Sequence, residues 1–145
     1  MNIKQELEKL NTNLVGKPYI IIKVYELNEN IFNCVSFTLN IFNYWIWTNE
    51  KRWPRDIPRN LGINSFKMLY SKIGYDECDS DLYEEGYDKI AFYAKNNIPK
   101  HAAKQFGNKW RSKVGPVILE HNLDWLCGNG EYEYGDVVFI MKRKI

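Results

Sequence analysis

The chain has 145 residues, 45% of them hydrophobic and 15% aromatic, which is enough to bury a core without disulfides or a structural metal and too much for a disordered chain. Twenty Lys and Arg against eighteen Asp and Glu leave a formal charge of +2, and the two signs are interspersed, which argues against a nucleic-acid-binding tail. The N-terminal MNIKQELEKLN mixes Lys with Glu and has no apolar run behind it, so no signal peptide or membrane contact is expected, and the expected compartment is cytoplasmic.

Three widely spaced cysteines, Cys34, Cys78 and Cys127, form no C-x-x-C pair, so no disulfide framework is expected. With two histidines and no recognisable ligand spacing, no metal and no cofactor is expected either. There is no internal repeat and no linker, and residues 1–145 read as one domain.

In chain order, Ile3, Leu7 and Leu10 fall at helical spacing and predict a short amphipathic helix from residue 1 to about 12. Tyr19 to Tyr25, YIIIKVY, is β-branched and aromatic and reads as a strand. Asn33 to Trp47 is apolar on most faces and reads as a buried helix, with a strand as the alternative. Asn33 suits the cap of that helix, because its side-chain oxygen can accept a first-turn N–H, and Cys34 then becomes the first helical residue.

Prolines 54 and 58 forbid a long helix in KRWPRDIPRNLG. Phe66, Leu69, Tyr70 and Ile73 predict a helix over 65–73, closed by Gly74. An acidic loop, 76–85, comes next. Strands are expected at 89–94, 101–106 and 109–114, the last two joined by a turn at Gly107 and Asn108. Gly115 and Pro116 end the third strand, a short helix is expected over 118–126, and a final strand over 136–144. Helices first and an antiparallel sheet afterwards make the expected fold class α+β, with the sheet packed on the Cys34 helix.

Two residues stand out chemically. A thiol at the first turn of a buried helix feels the positive end of the helix dipole, which favours the thiolate. His101 opens a strand directly after a turn, and in the Gly107 hairpin it is expected opposite Ser112 or Lys113, a base beside a polar neighbour. His121 is a further candidate for the same cleft. Each has a plainer alternative: a small buried thiol for Cys34, and ordinary strand and helix histidines for His101 and His121. Trp110 reads as packing.

The ordered set Asn33 and Cys34, His101 and Ala103, Trp110, Ser112, Lys113 and Gly115, Ile118 and His121, then Tyr134, Gly135, Val137 and Val138, resembles an uncharacterised family of small bacterial domains. In order and topology the arrangement is similar to compact papain-like cysteine hydrolases, in which a Cys begins a helix and a His begins a strand of the sheet packed on it. The resemblance implies a papain-like fold, Cys34 as nucleophile and His101 as general base. Ser112, Lys113 and His121 all stand as candidates for the third member.

These readings lead to the expectation of a cysteine hydrolase or acyl transferase acting on an amide, isopeptide or thioester bond of a protein or peptide substrate. The alternative is a non-catalytic binding or sequestering protein on the same scaffold, using the aromatic side chains around Trp45, Trp47 and Trp53 for recognition. Nucleic acid ranks last among the partners, because KxxxKW and MKRK do not make a contiguous basic patch.

Overall fold

The computed structural model describes residues 2–145, and Met1, where the first expected helix begins, lies outside them. Helix α1 spans Ile3–Leu10 and opens with a reciprocal cap: Asn2 accepts from the Gln5 backbone N–H, and the Gln5 side chain accepts from the Asn2 N–H. Only Leu7 of this helix is buried.

Seven antiparallel strands follow: β1 (Ile20–Val24), β2 (Asp76–Cys78), β3 (Tyr87–Lys95), β4 (Ile98–Phe106), β5 (Lys109–Val114), β6 (Val117–His121) and β7 (Asp136–Lys144). They form one sheet in the order β1-β6-β5-β4-β3-β7-β2. Helices α2 (Cys34–Thr38) and α3 (Ile63–Lys72) complete the regular elements. The class is mixed α+β, and the sheet dominates three short helices.

The sheet separates two apolar clusters. On one face Cys34, Val35, Trp53, Phe66, Tyr70, Ile90, Phe92, Ala102 and Phe139 pack together. On the other are Ala91, Tyr93, Ala103, Trp110, Val114, Leu119 and Leu126. The strand period of two explains the division, because successive residues of β3 and β4 point to opposite faces.

Four expectations need correction. The expected helix from Asn33 to Trp47 is only α2. Asn40 adopts a left-handed conformation, φ 59°, and its N–H reaches the Phe37 carbonyl while the Ile41 N–H reaches that of Ser36. This is a helix-ending motif that asparagine tolerates, and it stops the helix after little more than one turn despite the apolar residues beyond.

Residues 118–126 do not form a helix: β6 occupies Val117–His121, and only Leu123–Leu126 coil, as a 3-10 turn. Gly115 at φ 56° turns the chain tightly back, and β6 finds a strand to pair with on each side, β5 and β1. The expected acidic loop holds β2, a short charged strand at the sheet edge. Finally, the helix-first order is broken by β1, which pairs with β6 near the far end of the chain.

Among the described residues no helix is long and apolar enough to cross a membrane.

Candidate functional site

Asn33 builds the start of α2. Its side-chain oxygen accepts from the backbone N–H of Ser36 at 3.1 Å, as the cap reading expects, and also from that of Ile46 at 3.2 Å. Its amide donates to the Ile46 carbonyl at 2.9 Å. One buried side chain therefore caps α2 and fastens the irregular segment after it, and so fixes the position of Cys34.

The β4–β5 hairpin turns at Gly107 and Asn108 with Gln105 opposite Trp110. The pairing runs only over Lys104–Phe106 with Lys109–Arg111, so His101 does not stand opposite Ser112 or Lys113 as expected; its partner is Tyr93 on β3. Beyond Lys104 the first half of β4 is not paired with β5, and α2 packs against both strands.

Alternation puts Ala102 on the Cys34 face and His101 on the Tyr93 face. Both Cys34 and His101 nonetheless line one cavity of about 360 Å³, shared with Phe32, Trp45, Trp47, Lys113 and Tyr134. Glu50 and Lys100 also border it. The backbone N–H of Ala102, one residue from His101, is among the groups that favour the Cys34 thiolate form.

The electrostatics correct the expected thiolate. Burial pushes the Cys34 thiol up to about 11, against the pull of the backbone N–H groups of Ala102, Val35 and Cys34 itself and of the Lys113 ammonium. A five-residue helix offers too few aligned peptides to reverse that cost. Burial, reinforced by the nearby His121, holds the His101 imidazole well below the usual histidine range. At neutral pH both groups are uncharged.

His101 is stacked on Tyr134, ring centroids 4.1 Å apart and planes 7° from parallel, and its buried Nε2 has no hydrogen-bond partner among the described residues. Gly135 allows this stacking. A Cβ there would lie 2.1 Å from the Ala94 carbonyl oxygen, so only glycine lets the chain press against the end of β3 and seat Tyr134 on the ring.

The three candidates for a third member separate. Lys113 lines the cavity, and its ammonium donates to the Phe32 carbonyl at 3.1 Å and to the Asn30 side-chain oxygen. Burial lowers it to about 8, a shift that the Cys34 thiolate form opposes. Ser112 and His121 are not among the lining residues and bond to each other at 2.7 Å. Because the Asn122 carbonyl can only accept, His121 Nδ1 donates to it at 2.8 Å, and Nε2 accepts from the Ser112 hydroxyl. Burial, opposed by the Asn122 carbonyl and Glu120, lowers His121 to about 4 and keeps this pair neutral.

Sequence reasoning missed the part played by Tyr134, although Tyr-Gly in YEYGD was its one visible trace. It also missed Lys100, Glu50 and the segment from Asn30 to Phe32, which no local pattern ties to Cys34. Among the described residues no three His, Cys, Asp or Glu side chains are grouped to hold a metal ion.

The fold and cleft together define a small mixed α+β protein with a buried thiol, an imidazole and an ammonium around one aromatic-walled cavity. The chain belongs to the family described as "Domain of unknown function (DUF7689)", whose model matches residues 23–142, from within β1 to within β7. No curated protein and no solved structure matches the chain.

Proposed function

We propose that the protein is a cysteine-dependent hydrolase or acyl transferase acting on an amide, isopeptide or thioester bond, with Cys34 as nucleophile and His101 as general base. The observation that carries this reading is the one cavity that Cys34 and His101 both line, with Lys113 beside them. The accompanying fold reading is a papain-like arrangement, in which a helix starting at the thiol packs on an antiparallel sheet and one of its strands supplies the imidazole.

The protonation states favour attack with concerted proton removal over a standing thiolate–imidazolium pair. Cys34 Sγ bonds to the substrate carbonyl carbon as His101 takes the thiol proton. The Cys34 backbone N–H stabilises the developing oxyanion. The carbonyl–nitrogen or carbonyl–sulfur bond then breaks, and His101 returns the proton to the leaving group. Water, or an acceptor amine or thiol, attacks the thioester with His101 again as base, and the Cys34 thiol is restored.

One observation favours a second reading. A thiol pushed up to about 11 has no need of reactivity, and a cavity walled by Phe32, Trp45, Trp47 and Tyr134 suits a binding protein equally well.

Reaction with p-nitrophenyl acetate separates the two. The hydrolase reading predicts release of p-nitrophenolate, an acetyl group mapped to Cys34, and loss of both in Cys34→Ala and His101→Ala. Acetylation of Cys78 or Cys127 in preference to Cys34 leaves the binding reading in its place.

A further inference from the structure

The Lys113 side chain has an environment that its structural contacts do not explain. The residue is 5% exposed, and among the described residues its ammonium forms no ion pair with a carboxylate. Its partners are neutral: the Phe32 carbonyl at 3.1 Å, the Asn30 side-chain oxygen, and the faces of Phe32 and Tyr25 at 4.7 and 5.9 Å. Two acceptors leave one of its three N–H groups over. A buried charge without a counter-ion carries a desolvation cost that an anion beside it would offset.

The cavity offers the place for that anion. Lys113 and Cys34 line it together, Lys100 adds a second cation at its border, and Glu50 is the one carboxylate among the lining residues. We infer that the ligand of this cleft is an acyl compound bearing a carboxylate close to its reactive carbonyl, and that Lys113 is the residue that recognises the carboxylate. This rests on the reading of Cys34 as nucleophile and names the substrate class of that site.

The test uses two alkylating reagents of nearly equal size, iodoacetate and iodoacetamide, on the whole protein. With each, the Cys34 thiolate forms a carbon–sulfur bond, iodide leaves with its electron pair, and the thiol proton goes to solvent. An ordinary thiolate repels the charged reagent and reacts faster with the neutral one, so Cys34 in the urea-unfolded chain sets the reference ratio. In the folded protein the ratio of iodoacetate to iodoacetamide modification at Cys34 should rise about tenfold or more above that reference, the worth of a charge-assisted hydrogen bond. Lys113→Gln should return it to the reference, and Lys113→Arg should keep most of it.

Both reagents require the thiolate, so its titration cancels in the ratio, and so does any help from His101. The ratio should fall as pH rises through about 8, where Lys113 loses its proton. Glu50, Lys100, His101 and Tyr134 also face the cleft; burial holds the His101 imidazole well below the usual histidine range and pushes the Tyr134 hydroxyl above the usual tyrosine range, so neither of these two changes charge near pH 8.

A folded-state ratio equal to the reference, or one that survives Lys113→Gln, overturns the inference. If His101→Ala still slows acetylation, the hydrolase reading stands without it. Should Cys34 prove closed to both reagents, melting temperature decides: glutarate should raise it in the native protein more than glutaramide does, and Lys113→Gln should remove the difference. Equal shifts with the two compounds overturn the inference by that route.

Discussion

The two histidines make folding stability depend steeply on pH in mild acid. They are the only ones in the chain, both are buried, and both have their imidazoles held below the usual range of about 6.5. In the unfolded chain each takes up a proton as pH falls through about 6.5, whereas in the folded chain neither does until far lower, about 4 for His121. A depressed folded-state value stabilises the fold above the unfolded value and is lost as pH falls toward the folded one. Each such histidine therefore costs roughly 1.4 kcal/mol per pH unit in that window, and the pair about twice that.

Urea unfolding followed by tryptophan fluorescence between pH 7 and pH 5 reads this slope directly, above the range where most carboxylates titrate. His101→Phe keeps the stacking on Tyr134, removes one titrating group and should halve the slope. It should also raise stability at pH 7 by roughly 1 kcal/mol or more, because the buried Nε2 has no partner to lose. A slope of one proton or fewer in the native protein, or a slope unchanged in His101→Phe, would refute the reasoning.

Trp110 is 4% exposed within the apolar cluster on the far face of the sheet, and Trp110→Ala should cost roughly 3–5 kcal/mol in urea unfolding. Gly135→Ala places a methyl against the Ala94 carbonyl at φ 78° and should cost about 2 kcal/mol or more; circular dichroism melting checks the fold, and p-nitrophenolate release should drop as Tyr134 leaves its seat. Asn33→Ala removes a helix cap and both side-chain bonds to Ile46, for a loss of about 1–3 kcal/mol and a slower reaction at Cys34.

Much of the sheet was legible because its strands carry local signals. Gly107–Asn108 marks the hairpin turn between two of them, and the flanking runs alternate or are rich in β-branched residues. Asn33 as the cap of a helix starting at Cys34 was legible for the same reason, since a cap is a contact three residues long. The length of α2 was not, because the left-handed Asn40 outweighs the apolar run that follows it. Neither was β6, whose ILEH reads equally as helix until strands on both sides are known.

The site divides in the same way. Cys34 and His101 stood out by residue type and position, but their protonation states depend on burial, which no local pattern reports. The trio Ser112, Lys113 and His121 looked equivalent in sequence because β-strand faces cannot be told apart until the register is fixed. The register then sends Ser112 and His121 to a closed pair and Lys113 to the cleft. Tyr134 acts across more than thirty residues of chain, through a close approach that only Gly135 permits.

The most direct test of Cys34 and His101 as a nucleophile and its base is the pH dependence of Cys34 acetylation by p-nitrophenyl acetate, measured in the native protein and in His101→Ala. Assisted attack predicts a level rate across neutral pH, where His101 is already an unprotonated base and the thiol is still whole, together with a solvent deuterium isotope effect; His101→Ala should remove both. A rate that climbs about tenfold per pH unit toward 11 and is the same in the two proteins would mean that Cys34 reacts only as a free thiolate, and would contradict the proposed role of His101.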